Sequence, residues 1–189
     1  AVRRDWANYY DLITAADYQV ADLLAQLQAD GLADDTLVFF FSDHGAGLPR
    51  AKQWIFEAGL QVPLLIHFPE RWRHLAPAAP GSVVEQLVSL VDFAPSVLSL
   101  VGERIPAHMQ GVPFLGTKAG APRPYVFGIR DRMDERVDMM RSVRDERFKY
   151  HRNYLPHLPF AQPIEYMDLL PTMKELRRLS AVGQLMGAA

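Results

Sequence analysis

The stretch Thr36-Leu-Val-Phe-Phe-Phe-Ser42, followed at once by Asp43-His44-Gly45, decides the expected fold. A continuous apolar run that ends in a polar residue and a glycine is typical of a strand buried on both faces of a parallel sheet. Ligands of open α/β sheets collect at the carboxyl ends of such strands. The sequence therefore places two potential metal donors, a carboxylate and an imidazole, where a functional site is expected. A simple turn or a helix N-cap is the alternative interpretation of Asp43-His44-Gly45.

The segments around this strand indicate an α/β fold. Between residues 10 and 27, apolar residues recur at three- and four-residue spacing, which predicts an amphipathic helix. Residues 62–66 predict a second buried strand, and a helix is expected over 93–101 with Asp92 as its N-cap. Together these elements predict a mostly parallel sheet flanked by helices over roughly residues 9–101.

The remainder of the chain predicts a smaller, antiparallel part. Residues 103–124 are rich in proline and glycine, which indicates a connection, and we place the division between 1–118 and 119–189. In the second part the pattern predicts a strand, an antiparallel hairpin and a terminal helix with proline in its first turn. These elements are expected at 125–129, at 137–143 with 148–150, and at 171–179.

Composition excludes several functional classes. The 189 residues are 49% hydrophobic, which is enough for a substantial core. A net charge of -2 gives no general attraction to nucleic acid or acidic membranes, and no apolar run approaches the length of a transmembrane helix. The absence of cysteine excludes disulfides and thiolate metal sites. The charge-rich segment 130–152 could bind an anionic sugar, but charge pairing across a solvated hairpin is the favoured interpretation.

Two cations, Arg50 and Lys52, follow the Asp43-His44 pair by seven to nine residues. The intervening loop contains glycine and proline and could fold back, and a short helix expected at 52–56 would aim Lys52 into the cleft. A cation beside a metal can hold an oxyanion, which both sulfuryl and phosphoryl transfer require. Arg50 is expected to point elsewhere and ranks as a secondary substrate contact. The alternative for Lys52 is a solvated surface lysine.

Taken together, these motifs resemble the sulfatase family of the alkaline phosphatase superfamily over nearly the whole chain. The resemblance rests on the strand with Ser42-Asp43-His44-Gly45, on Lys52, on Glu57-Ala-Gly59-x-x-Val62-Pro63, and on 130–153, which is similar to sulfatases acting on N-sulfated sugars. It implies an alkaline phosphatase-like fold and hydrolysis of a sulfate ester or sulfamate on a sugar or small molecule. It also implies that Asp43 and His44 bind a divalent cation and that Lys52 contacts the sulfate group.

Two positions depart from the family pattern. Most sulfatases have asparagine where His44 stands, and oxygen donors suit calcium, which is the ion that the resemblance implies. The imidazole nitrogen suits zinc or manganese better. The Asp43-His44 pair also resembles the Asp-His pair of phosphodiesterases and phosphonate hydrolases in the same superfamily. Gln61 stands where the family usually has arginine, which we interpret as the loss of a structural ion pair.

The family's formylglycine nucleophile is made within a Cys/Ser-x-Pro-x-Arg motif, and this sequence contains no such motif. The chain is therefore expected to be the C-terminal portion of a longer sulfatase and to be inactive alone. An apolar surface should be exposed where the missing half would pack. A phosphodiesterase or phosphonate hydrolase, or an inactive truncated domain, are the competing interpretations. The sequence defines neither the oligomeric state nor the compartment, and an exported parent protein is left open.

Overall fold

A computed structural model describes residues 2–185 of the chain. Within them lie five helices and five strands, with three short 3₁₀ segments at Ala33–Asp35, Glu70–Leu75 and Leu90–Asp92. In chain order the helices and strands are α1 (Val2–Ala29), β1 (Val38–Phe41), α2 (Glu57–Leu60), β2 (Leu64–His67), α3 (Phe93–Leu100), β3 (Val126–Met133), β4 (Arg136–Arg144), β5 (Lys149–Asn153), α4 (Glu165–Asp168) and α5 (Pro171–Ala181).

The long amphipathic helix is confirmed as α1, which begins eight residues before the predicted stretch. Its apolar stripe is largely uncovered, since Ile13 is 47% exposed and Leu23 is 70% exposed. Near its start, the buried carboxylate of Asp5 accepts hydrogen bonds from the backbone N–H and the hydroxyl of Thr172, at 2.8 and 2.5 Å. This contact ties α1 to α5, at the other end of the chain.

The predicted parallel sheet is not formed by the described residues. Strands β1 and β2 do pair, but they run antiparallel, with Val38 opposite His67 and Phe41 opposite Leu64. The chain between them reverses through a loop and the single turn α2, so it makes no crossover of the kind that parallel neighbours need. Phe40 and Phe41 remain exposed on this two-stranded sheet, so the expected burial of β1 on both faces is also absent.

The chain exposes far more surface than its size requires. A folded monomer of 21.4 kDa is expected to expose about 9,000 Å². This chain exposes 13184 Å², and α1 and β1 both contribute large apolar side chains to that area. The excess of roughly 4,000 Å² is comparable with the total area buried in permanent complexes. Large apolar side chains are exposed as expected, and their contact with an upstream part of a sulfatase stays a prediction.

Residues around Asp92 form a compact cluster of hydrogen bonds. Helix α3 begins at Phe93 as predicted, but the carboxylate of Asp92 does not cap it. The carboxylate instead accepts hydrogen bonds from the backbone N–H groups of Ser89 and Val112 and pairs with Arg123. The division at 118 stays a prediction, and the Asp92–Arg123 pair crosses it.

The C-terminal part contains the predicted antiparallel hairpin. Strands β3, β4 and β5 form one antiparallel sheet in that order, with a bulge between Arg130 and Arg132. Strand β5 extends the hairpin to Asn153, three residues beyond its predicted end. The predicted terminal helix is confirmed as α5, with Pro171 at its start. Among residues 2–185, no helix has both the length and the apolar character needed to cross a bilayer.

Candidate metal and oxyanion site

Immediately after β1 the chain turns and brings Asp43 and His44 together. Strand alternation would send neighbouring side chains to opposite faces, but the strand has already ended at Phe41. Their side chains therefore converge, and Oδ1 of Asp43 lies 3.5 Å from Nε2 of His44. The two side chains meet, but of the two only His44 lines the adjacent cleft, so the prediction that both face one open cleft stays a prediction. The side chain of Asp43 is 82% exposed, so this pair is open to a further partner.

The imidazole of His44 is held in one orientation. Its Nδ1 lies 2.8 Å from the carbonyl oxygen of Gly45, and the hydroxyl of Ser42 donates a hydrogen bond to the carbonyl of His44 at 2.7 Å. Because a carbonyl oxygen can only accept, Nδ1 donates this hydrogen bond, and Nε2 is the nitrogen that faces Asp43. Histidine ligands of metals are usually fixed through their second nitrogen in this way. The geometry therefore suits a cation held between Nε2 and the carboxylate.

Glycine is required at two positions of the supporting loop. The N–H of Gly45 donates to the carbonyl of Gly59 at 3.0 Å, so the loop packs directly on α2. A Cβ on Gly45 would lie 1.9 Å from the carbonyl oxygen of Ala58. A Cβ on Gly59 would lie 2.0 Å from the carbonyl oxygen of Trp54. Two backbone segments thus approach closely only because neither residue has a side chain.

A cleft of about 410 Å³ lies beside His44. Its walls come from the loop after β1, from the residues around α2 and from α1, and include Tyr9 and Gln61. Gln61 therefore borders the candidate site, a position that the interpretation as a lost structural ion pair did not anticipate. Tyr9 was missed as a site residue, because it lies on a helix 35 residues before His44 and no local pattern connects the two.

The loop that carries Arg50 and Lys52 folds back as predicted, but without the expected helix. The N–H of Lys52 donates to the carbonyl of Ala46 at 2.8 Å, which returns the chain to within two residues of His44. The helix predicted at 52–56 is wrong, because Arg50 and Gln53 adopt left-handed backbone angles, with φ of 67° and 73°. A right-handed helix cannot continue through such residues. Helical structure starts only at α2.

The two candidate anion-binding cations have different partners. The ammonium of Lys52 donates a hydrogen bond to the phenol of Tyr166, on α4, at 2.8 Å, and lies 4.5 Å from the centre of that ring. The guanidinium of Arg50 lies over the ring of Phe56 at 5.3 Å. The structure therefore places Lys52 beside the C-terminal part, and its approach to a bound oxyanion stays a prediction.

The predicted solvated hairpin face, with charges pairing across strands, is formed only in part, as by Arg141 and Asp131, because other charged residues of this sheet pair with α2 or are buried. Glu57 of α2 contacts Arg144 and Lys149 at 2.9 and 3.1 Å, which fixes α2 against β4 and β5. The side chain of Arg130 is fully buried over Trp54 at 4.0 Å, and burial lowers its pKa against the opposing effect of Asp138. The side chains of Arg130, Arg144 and Lys149 therefore make their contacts within the fold. Within the described part of the chain, no group of three or more potential metal ligands occurs.

Comparison with known proteins decides the family. A family model described as Sulfatase matches residues 2–103, which is more than half of the chain. The chain belongs to the sulfatase family. It is 44% identical over 184 residues to an ulvan-active sulfatase of Formosa agariphila, covering 97% of this chain and 30% of that relative. It is 30% identical to human N-sulphoglucosamine sulphohydrolase, covering 99% of this chain and 38% of that relative.

A solved structure supports the fold of this sulfatase chain. That protein was determined in complex with its substrate, D-glucosamine-2-N,6-O-disulfate. The two chains superpose with a TM-score of 0.57 at 20% sequence identity, over 91% of this chain and 38% of that one. The chain thus spans about a third of the length of the relatives that it matches.

Proposed function

We propose that this chain is the C-terminal part of a sulfatase that hydrolyses a sulfate ester or sulfamate on a saccharide. The observation that carries the proposal is the convergence of Asp43 with His44, which lines a cleft, in a chain that belongs to the sulfatase family. The names of the relatives support a saccharide substrate, since they include ulvan-active sulfatase and N-sulphoglucosamine sulphohydrolase.

Asp43 and His44 fit two positions of a divalent cation's coordination shell. The carboxylate and Nε2 converge, and the second nitrogen of His44 is already bonded to a carbonyl. A complete site needs further ligands, which we assign to the part of a sulfatase that this chain does not include. Calcium is the ion we expect, with zinc or manganese as alternatives because of the imidazole. Such a cation would polarise the sulfate group as a Lewis acid.

The residues of this chain then have separate tasks. Asp43 and His44 hold the cation, and the loop through Gly45 fixes their orientation against α2. Lys52 supplies a point charge to a non-bridging oxygen of the sulfate group, and Arg50 has a secondary role. The nucleophile, a formylglycine by resemblance, belongs to the upstream part, so the isolated chain should not turn over substrate.

Reconstitution tests the metal assignment. We expect the chain, produced together with the upstream two-thirds of a related sulfatase, to hydrolyse a sulfated saccharide and to bind a divalent cation. Asp43→Ala should remove at least one equivalent of bound metal, because it deletes the only carboxylate next to His44 in the loop, and activity should fall with it. Metal content measured by mass spectrometry checks this result, with Asp145→Ala, in the β4–β5 turn, as the control. Full metal occupancy in Asp43→Ala would overturn the assignment.

Removing the Lys52 ammonium tests the oxyanion contact. In the reconstituted enzyme, Lys52→Ala should lower kcat by about a hundredfold, the scale of losing one preorganised charge contact. Metal content should be unchanged. Steady-state kinetics check the result, with Lys174→Ala on the exposed side of α5 as the matched control. Wild-type turnover in Lys52→Ala would exclude the role.

Phosphoryl chemistry is the second candidate function, and His44 is the observation that favours it. Assay of the reconstituted enzyme with matched aryl sulfate, aryl phosphodiester and phosphonate ester substrates separates the two reactions. Preferred hydrolysis of a phosphorus ester would replace the sulfatase proposal. Absence of all hydrolysis, together with absence of metal, would favour the inactive truncated domain.

A further inference from the structure

The half-buried ammonium of Lys52 is held by a residue 114 positions further along the chain. The phenol oxygen of Tyr166 accepts its hydrogen bond at 2.8 Å, and the centre of the aromatic ring is 4.5 Å from the charge. The neighbouring side chain, Gln53, donates a second hydrogen bond to Asp134 in the β3–β4 turn, also at 2.8 Å. Both contacts connect the Lys52 loop to the C-terminal part of the chain.

The backbone of this loop does not hold its shape by itself. Arg50 and Gln53, on either side of Lys52, adopt left-handed angles that are unfavourable for residues other than glycine. Each such residue destabilises the conformation by about 1–2 kcal/mol. Strained backbone of this kind persists only where surrounding contacts fix it, and such positions concentrate at ligand-binding sites. The contacts made by Tyr166 and Asp134 supply that restraint.

The geometry leaves Lys52 able to bind an anion. An ammonium has three N–H donors, and Tyr166 accepts only one of them. A free lysine loses about 2 kcal/mol of rotamer entropy when its four-carbon side chain is fixed. Fixing it before the substrate arrives removes that loss from the binding step.

We propose that Tyr166 is a positioning residue for Lys52, so that the C-terminal part of the chain sets the place of the oxyanion-holding charge. The proposal rests on the function proposed for Lys52. It goes beyond that function in assigning a role to a residue outside the metal loop, on a helix that the sequence motifs do not include.

Nuclear magnetic resonance of the chain itself tests the contact without any need for activity. The chain has four lysines, at positions 52, 118, 149 and 174, so the ¹³C-dimethylated amines give resonances that can be assigned by single Lys→Arg variants. Dimethylation keeps the charge and one N–H donor. The methyl groups on Lys52 should show nuclear Overhauser contacts with the ring protons of Tyr166, which the methyl groups on the exposed Lys174 should not show.

Tyr166→Phe retains the ring and removes only the hydroxyl. We expect most of these Overhauser contacts to be lost, because the hydroxyl no longer holds the ammonium at the ring. Tyr154→Phe is the matched control, since Tyr154 and Tyr166 are 43% and 45% exposed and each lies under a cation. The resonance of Lys149, which is paired with Glu57, reports whether each variant remains folded. Unchanged contacts between the Lys52 methyl groups and the ring of residue 166 in folded Tyr166→Phe would overturn the proposal.

A double-mutant cycle in the reconstituted enzyme separates positioning from general structural support. Tyr166→Phe should lower kcat/KM by about three- to tenfold, the value of one hydrogen bond. In the Lys52→Ala background it should have no further effect, because it acts through Lys52. An equal effect in both backgrounds would contradict the proposal. If Lys52→Ala leaves activity unchanged while the Lys52 methyl contacts still depend on the hydroxyl of Tyr166, the proposed function fails and the positioning contact stands.

Discussion

Asp92→Ala is expected to destabilise the chain by at least about 3 kcal/mol. The side chain of Asp92 is 2% exposed and pairs with Arg123 through both carboxylate oxygens. Its removal leaves a largely buried guanidinium without its counter-charge, and the N–H groups of Ser89 and Val112 lose their acceptor. Breaking a buried ion pair in this way typically reduces stability by about 3–5 kcal/mol. Urea denaturation followed by tryptophan fluorescence measures the change.

The same pair predicts a pH dependence. Burial raises the pKa of Asp92, but hydrogen bonds from Arg123 and from the backbone outweigh it and hold the pKa below the ordinary value of 3.8. A carboxylate with a lowered folded pKa stabilises the fold fully above its unfolded pKa, and that stabilisation is lost as the pH falls through the folded pKa. The stability difference between wild type and Asp92→Ala should therefore be constant near pH 7 and shrink below about pH 4.

An exposed pair provides the control for this prediction. Asp35 contacts Arg71 on the surface, where both side chains are about half exposed. Asp35→Ala should reduce stability by no more than about 1 kcal/mol. If Asp92→Ala changes stability as little as Asp35→Ala, the cluster of hydrogen bonds around Asp92 does not stabilise the fold.

Local patterns predicted the single elements of this fold better than their pairing. The helical periodicity of α1, the hairpin of β4 and β5, and Pro171 at the start of α5 depend on neighbouring residues, and each is confirmed. The orientation of β1 against β2 depends on the path of the chain between them. That path is set by close glycine contacts around Gly45 and Gly59, which no periodic pattern encodes.

The residues of the candidate site fall into the same two groups, those that local sequence predicts and those that only the folded chain brings together. Asp43 and His44 were predicted because they are adjacent in sequence and follow a strand. The partners Tyr9 and Tyr166 come from helices near opposite ends of the chain, and only the folded structure places Tyr9 at the cleft and Tyr166 against Lys52. The helix expected at 52–56 failed because tertiary contacts of Gln53 favour a strained backbone over local helix propensity.

Gly45→Ala is expected to destabilise the chain by more than about 3 kcal/mol. The new methyl group would lie 1.9 Å from the carbonyl oxygen of Ala58 and 2.8 Å from its carbonyl carbon. Overpacking against side chains reduces stability by about 1–3 kcal/mol, because side chains can move aside. Here the neighbours are backbone atoms, so the loop itself must separate from α2.

Gly47→Ala is the matched control, since a Cβ at Gly47 would have no atom within 4 Å. Urea denaturation should show a stability close to that of the wild type for Gly47→Ala and a large loss for Gly45→Ala. Separation of the loop from α2 would also break the hydrogen bond from the N–H of residue 45 to Gly59, so that amide should exchange faster with solvent. Because His44 is oriented through the carbonyl of Gly45, the same change should move the imidazole of His44 away from the carboxylate of Asp43. Equal stability and equal amide protection in the two variants would show that this close approach does not fix the site.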